Sequence, residues 1–161
     1  MDRKKPTCDV AWLSGIIDGE GCFFISIKKP KLTKTVSIGL KFSIAMSRGK
    51  WEQKVIQIFD KYDIKHSTRV KRGLFEIAVN SNPQVKKLCD IIKDDSVVKK
   101  DIVDRFLNFQ SVGYTRNQYR NHDESTIRRI ADDVDFVRSF NRKRNVPYVW
   151  DGKKIMESFG Y

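Results

Sequence analysis

The chain has 161 residues, 40% of them apolar and 32% charged, which is the composition of one globular domain. It carries 32 lysines and arginines against 20 acids, and this net charge of +12 favours a polyanionic partner. No apolar run approaches the roughly 20 residues that cross a bilayer. Three widely spaced cysteines match neither a zinc motif nor a disulfide framework, so we expect an intracellular, reducing compartment, no membrane segment and no secretion signal.

Two kinds of apolar periodicity alternate along the first part of the chain. Helical spacing predicts helices over 9–19, 50–62 and 99–112 and a later one over 125–139. Another helix is predicted to start at 82, with Asn82 as its cap and Pro83 in its first turn. Period-two alternation predicts strands over 22–29, 35–46, 66–72 and 74–79, and Arg72-Gly73 is expected to form a tight turn between the last two strands. This order predicts an α+β fold with one mixed or antiparallel four-stranded sheet.

One face of the predicted sheet is small and basic. In the strand over 35–46, large apolar residues alternate with Ser37, Gly39, Lys41 and Ser43, and we call the face that carries these four the open face. Residues 21–51 contain no acid, although lysine and arginine are frequent there. Such a face is suited to lie along a nucleic acid groove. The alternative is a solvated face with loop lysines.

The most informative segment closes the first helix and reads LSGIIDGEG over residues 13–21. Gly15 and Gly19 share a helix face, which favours the close approach of another helix. Asp18 and Glu20 lie at the C-terminal end, where the helix dipole disfavours carboxylates, so a cation is expected beside them. Carboxylate and carbonyl oxygens suit Mg²⁺ or Ca²⁺, and the alternative is neutralisation by solvent or by a lysine.

This segment resembles the motif of the LAGLIDADG homing endonucleases. The elements that follow it resemble the family's αββαββα core over about residues 9–112, and the expected domain is a single endonuclease domain over 1–161 with extra C-terminal helices in 113–161. The chain has one motif copy, and one-motif members of the family are homodimers, which implies a palindromic or near-palindromic target in double-stranded DNA. The interface implied by the resemblance is the motif helix, through Leu13, Gly15, Ile16 and Gly19.

The resemblance also implies a metal site and a reaction. Glu20 falls on the family's metal-binding acid, with the Gly19 carbonyl beside it, whereas Asp18 falls on an earlier acid that is more often structural. The implied cofactor is Mg²⁺, with Ca²⁺ as a non-productive substitute, and the implied reaction is phosphodiester hydrolysis.

A lysine near the scissile phosphate is a further property that the resemblance implies. It falls on Lys99, with Lys100 as the alternative, and both could instead be solvated at a helix start. Met46 stands where some members of the family have a glutamine. This departure leaves the positioning of water on that side unassigned.

DNA contacts are expected from outward-facing positions of the four strands. These are Phe24, Ser26, Lys28, Ser37, Gly39, Lys41, Ser43, Arg69, Lys71 and Glu76. Lysine and arginine can bind guanine or only phosphates, Glu76 could accept from a cytosine amino group, and Phe24 is equally well a core residue. Beyond the core, Arg142, Lys143 and Arg144 lie among aromatic residues and are expected to hold phosphates, unless those aromatics only pack the tail onto the core.

The resulting prediction is a site-specific homing endonuclease that makes a metal-dependent double-strand break. One alternative is a splicing cofactor, or maturase, that binds intron RNA, since the fold is known to assist splicing, and both activities could coexist. Another is a transcription regulator that has lost cleavage, against which the retained acid Glu20 argues, because a pure binder needs no metal ligand.

Overall fold

The computed structural model describes residues 8–28, 36–110, 123–141 and 150–161. Its elements are α1 Cys8–Glu20, β1 Gly21–Lys28, β2 Ser37–Met46, α2 Lys50–Lys61, β3 Ser67–Lys71, β4 Leu74–Val79, α3 Asn82–Ile92, α4 Lys100–Leu107, α5 Glu124–Phe140 and α6 Gly152–Ser158. The αββαββα order that the sequence predicts is confirmed, and further helices follow it. None of the described helices is long and apolar enough to cross a membrane.

The chain divides into two compact units whose segments alternate along the sequence. The first unit comprises Met1–Phe23 and Lys41–Leu107, and the second comprises Phe24–Leu40 and Asn108–Tyr161. The motif helix α1 and helices α2, α3 and α4 belong to the first unit. Helices α5 and α6 belong to the second.

The four strands form one sheet in the order β1-β2-β4-β3. Strand β4 pairs antiparallel with both β2 and β3, so that Ala45, Glu76 and Arg69 stand side by side in one row across three strands. In β2 every second residue, from Ile38 to Ile44, is buried, while the residues between them are half-buried. The predicted alternation in β2 is therefore confirmed. The β3–β4 hairpin turns at Arg72-Gly73 with φ angles of 53° and 79°, as a tight two-residue turn requires.

The core of the first unit is built around Phe23. Its ring centroid lies 4.8 Å from that of Phe42 and 5.4 Å from that of Phe106, the latter edge-on, which is a favourable aromatic geometry. Gly21 connects α1 to β1 beside this cluster. A Cβ atom at Gly21 would lie 2.7 Å from the Ile17 carbonyl oxygen and 2.8 Å from the Phe42 ring, so only glycine fits where the helix meets the sheet.

Helices α5 and α6 of the second unit are fixed by aspartates. Asp123 caps α5 by accepting from the Thr126 amide at 2.8 Å. Asp151 caps α6 by accepting from the Lys154 amide at 2.8 Å. Helix α6 is not predicted by periodicity, because its seven residues are too few for a clear period. Asp135 of α5 accepts from the Gly152 amide at 2.8 Å and so joins the two helices.

Two other boundaries differ from prediction. Helix α4 covers Lys100–Leu107 rather than 99–112, although Phe109 beyond its end is buried. Ser81 occupies the N-cap position of helix α3 without a side-chain capping hydrogen bond, so that Asn82 is the first helical residue and not the cap.

Candidate functional site

The C-terminal end of α1 is tied to the chain segment that leads into α4. The Asp18 carboxylate accepts from the Ser96 hydroxyl at 2.6 Å and from the backbone amides of Val97, Val98 and Lys99 at 2.7, 3.0 and 3.2 Å. Burial acts to raise the pKa of Asp18, but these four hydrogen bonds outweigh it and the pKa is lowered. Asp18 therefore acts as a structural acid, the role that the family resemblance favours for it.

Lys99 neutralises the same helix end from within the protein. The residue is only 7% exposed, and its Nζ donates to the carbonyl oxygen of Ile17 at 2.8 Å and to that of Asp18. These carbonyls belong to the last turn of α1, where they lack helical donors and carry the negative end of the dipole. A lysine is thus the cation for these two oxygens, an alternative that the sequence left open. The role of Lys99 at a phosphate stays a prediction.

Lys100, the alternative to Lys99, lies in a different environment. It is exposed, and its Nζ donates to the Lys93 carbonyl at 3.3 Å. Of the two lysines, only Lys99 is fixed against the motif helix.

The end of α1 leaves Gly19 and Glu20 at the surface. Both are exposed, and Glu20 is the last residue of the helix, directly before β1. No cluster of three or more His, Cys, Asp or Glu side chains within metal-binding reach occurs among the described residues. At this helix end the described residues thus supply the exposed Glu20 carboxylate and nearby carbonyl oxygens. That set fits Mg²⁺, which is typically held by one or two carboxylates together with substrate phosphates and water.

Among the residues that the structure describes, none covers one side of α1. A Cβ atom built at Gly15 or Gly19 would meet no atom within 4 Å outside the helix itself, and Trp12 on this helix is 37% exposed. Ile16 is half-buried. Leu13, expected at the same interface, is buried within the chain together with Val10 and Ile17, which share its helix face, and its place in a dimer interface stays a prediction.

The expected DNA contacts lie at accessible positions of the sheet. Lys28, Arg69 and Lys71 are exposed, whereas the remaining members are half-buried, namely Phe24, Ser26, Ser37, Gly39, Lys41, Ser43 and Glu76. Their direct contact with DNA stays a prediction. Arg142, Lys143 and Arg144 lie outside the described residues.

Arg69 and Glu76 are paired across β3 and β4. The Arg69 Nε donates to the Glu76 carboxylate, which also accepts from Ser43. The hydrogen bond from Arg69 is the main reason why the pKa of Glu76 is lowered. Because the Glu76 side chain is only 13% exposed and already accepts from two partners, the proposed contact to a cytosine amino group would require this network to open.

Ser96, the hydroxyl donor to Asp18, was not among the residues predicted from the sequence. The available signal was a serine shortly before a predicted helix, a common place for capping side chains. A cluster of Trp51, Phe75 and Arg48 was not predicted either. The two rings lie edge-on with centroids 6.2 Å apart, and the guanidinium carbon of Arg48 lies 5.2 Å from the Phe75 centroid.

Similar structures share this fold. The homing endonuclease I-CvuI bound to the I-CreI target has a TM-score of 0.65 to this chain at 14% identity, with 94% of each chain covered. The archaeal intron-encoded homing endonuclease I-Vdi141I, complexed with DNA, has a TM-score of 0.64 at 16% identity, with 93% of each chain covered. The group I intron-encoded homing endonuclease I-CeuI, complexed with DNA, has a TM-score of 0.66 at 15% identity, covering 98% of this chain and 79% of that one.

The sequence itself matches a family. No curated protein matches the chain, but the LAGLIDADG endonuclease family model matches residues 13–112, which is more than half of its length. The matched region begins in the motif helix α1 and continues past α4. The family, the fold and the DNA endonuclease activity predicted from the sequence are thereby confirmed. The chain belongs to the LAGLIDADG endonuclease family.

Proposed function

We propose that this endonuclease acts as a homodimer that uses Mg²⁺ to cut both strands of a long, near-palindromic DNA target. The observation that carries the proposal is the end of α1, where an exposed carboxylate follows a helix face that nothing in the described chain covers. The family match supports cleavage of DNA rather than the maturase alternative. Intron RNA therefore has no separate support.

The proposed metal ligands are the Glu20 carboxylate and the Gly19 carbonyl oxygen. When bound there, Mg²⁺ would supply activation of water and stabilisation of the leaving oxygen during phosphodiester hydrolysis. Hard oxygen donors at the negative end of a helix suit a divalent cation. Structures of the neighbour I-CvuI on DNA were obtained in the presence of Mg and of Ca, which supports divalent metal use. Ca²⁺ is the proposed non-productive substitute.

Lys99 has the proposed role of positioning this metal-binding end. Its ammonium group holds the carbonyls of the two residues that precede Gly19, and its backbone amide binds the Asp18 carboxylate. These contacts fix the position of the helix end from which the Glu20 side chain extends. The fixed position of Lys99 beside the motif helix favours it over Lys100 for the expected role near the scissile phosphate.

The proposed dimer interface is the uncovered face of α1, through Gly15, Ile16 and Gly19. Two glycines four residues apart allow two helix backbones to approach closely. Val97 and Val98, which are 81% and 62% exposed, adjoin this helix end because their amides bind Asp18. Exposed apolar residues of this kind beside an open helix face support burial against a second copy. Two-fold symmetry then implies a near-palindromic target.

The experiment that tests the proposal is selection of cleaved duplexes from a randomised DNA library in the presence of Mg²⁺. We expect one long, near-palindromic sequence to be cut in both strands, and we expect EDTA to abolish cutting. Recovery of sequences without symmetry would contradict the homodimer. Failure to cut any duplex while intron RNA is bound tightly would contradict the nuclease and favour the maturase.

A further inference from the structure

The open face of the sheet carries an arginine whose side chain is held by a neighbouring carboxylate. Arg69 of β3 and Glu76 of β4 are direct cross-strand partners, so their side chains leave the sheet on the same face. The Arg69 Nε donates to Glu76, and within the described residues the guanidinium makes no other hydrogen bond. The Arg69 side chain is 62% exposed, in contrast to the largely buried carboxylate that holds it.

The surroundings of Glu76 favour this one arrangement. The carboxylate accepts from Ser43 on the other neighbouring strand, and Ala45, which stands directly opposite on β2, offers no group that could compete for it. Lys71 adds a second positive charge nearby. Glu76 is thus an ionised, anchored acceptor, and it restrains an arginine that would otherwise sample many rotamers.

The donors that remain on Arg69 match the edge of one base. With Nε bound to Glu76, the two terminal nitrogens form a planar fork that points away from the carboxylate. A fork of this kind fits the O6 and N7 acceptors that guanine presents in the major groove. Adenine offers a donor in place of O6, and the pyrimidines lack this pair of acceptors.

We infer that Arg69 reads a guanine at one position in each half of the DNA target, and that Glu76 is the positioning residue that orients it. This inference rests on the proposed function, because it assumes that the open face lies in the major groove. It differs from direct reading of cytosine by Glu76, since it assigns the base contact to the arginine. The competing explanations are a phosphate contact and a purely structural ion pair.

The test is selection of randomised duplex DNA by binding, so that the readout does not depend on cleavage. We expect the wild-type protein to select guanine at one position per half-site, and Arg69→Ala to relax that position to all four bases. The preference for guanine should fall roughly tenfold or more. Arg69→Lys keeps the charge but loses the fork, so it should relax the same position even if Arg69→Ala folds poorly.

Glu76→Gln and Arg72→Asn complete the set of variants. Glu76→Gln removes the anchoring charge and should weaken the guanine preference at the same position without changing the others. Arg72→Asn is the matched control, because it removes one nearby positive charge at a turn position whose φ of 53° asparagine tolerates. We expect Arg72→Asn to leave the base preference unchanged.

The outcomes distinguish failure of the inference about Arg69 and Glu76 from failure of the proposed function. If the wild-type protein selects a target and Arg69→Ala only lowers affinity uniformly, Arg69 contacts a phosphate and the inference is wrong. If Arg69→Ala lowers the melting temperature and leaves the base profile intact, the pair is structural and the inference is equally wrong. If Glu76→Gln keeps the full guanine preference, Glu76 is not a positioning residue. If the wild-type protein selects no sequence, the proposed function fails as well.

Discussion

Lys99 and Asp18 are joined through both the backbone and the side chain of the lysine. The Lys99 amide donates to the Asp18 carboxylate at 3.2 Å, and the Lys99 ammonium donates to the Asp18 carbonyl oxygen. The two residues are 81 positions apart in the chain. Together they close the C-terminal end of the motif helix one residue before the proposed metal ligands begin.

Replacing Lys99 by methionine should destabilise the protein. The substitution keeps the volume but leaves the carbonyl oxygens of Ile17 and Asp18 without their shared donor, which should lower the free energy of unfolding by about 1–3 kcal/mol. Chemical denaturation followed by circular dichroism measures this change. We also expect cleavage to fall further than DNA binding, because the end that carries Glu20 loses its restraint.

Lys100→Met is the matched control for this change. The Lys100 ammonium is exposed and makes one long contact to the Lys93 carbonyl, so the free energy of unfolding should change by less than about 0.5 kcal/mol. Equal destabilisation by both variants would show that the contacts of Lys99 with α1 are not what stabilises this region.

Asp9 near the start of α1 should make stability depend on acidic pH. Its carboxylate binds the Lys54 ammonium at 2.5 Å and the Lys61 ammonium at 2.9 Å, and these hydrogen bonds lower its pKa from 3.8 to about 2. Because the folded pKa is below the unfolded one, this stabilisation is present above about pH 4 and is lost as the pH falls towards 2.

The measurement is the melting temperature of the wild-type protein and of Asp9→Asn across that pH range. The wild-type protein should lose more stability on acidification than the variant, and the two curves should converge near pH 2. The difference between the two proteins should be small, because the ion pairs are exposed to solvent. Other carboxylates with lowered pKa titrate in both proteins and cancel in the comparison. Parallel curves would mean that the two lysine contacts do not persist in solution.

The elements of the fold could be read from periodicity, because β2 alternates strictly and the helices carry an apolar stripe. The contacts of Lys99 could not be predicted in this way, because local patterns do not indicate that its ammonium group will bind Ile17, which lies 82 positions away in the chain. The burial of Leu13 within the chain could not be predicted for a related reason. A helix that packs on its own core and also on a partner has apolar residues on both sides, and the sequence does not separate the two faces.

The proposed dimer should depend on the uncovered face of α1, which carries Gly15 and Gly19. Gly15→Leu places a large side chain in space that a second helix would need, so sedimentation should show a monomer, or the protein should lose solubility, and cleavage should be lost. Gln57→Leu is the control, because it adds a leucine at an exposed position of α2. A wild-type protein that is monomeric and active at nanomolar concentration would contradict the proposed dimer.

The basic residues of the tail should contribute to DNA affinity through phosphates. Replacement of Arg142, Lys143 and Arg144 by alanine should reduce the slope of log affinity against log salt by up to about 3 if each residue meets one phosphate. Specific and random duplexes should be affected alike, because phosphate contacts carry no sequence information. An unchanged slope with unchanged affinity would confine DNA recognition to the sheet.

The most direct test of the proposed nuclease is the comparison of wild-type protein with Glu20→Gln on the selected DNA target. The substitution removes the charge of the proposed metal ligand with little change of shape, so double-strand cleavage in Mg²⁺ should be lost while the dissociation constant for the target stays within a few-fold. Unchanged melting temperature would show that the fold is intact. Cleavage by Glu20→Gln at the wild-type rate would contradict the assignment of Glu20 as the metal ligand.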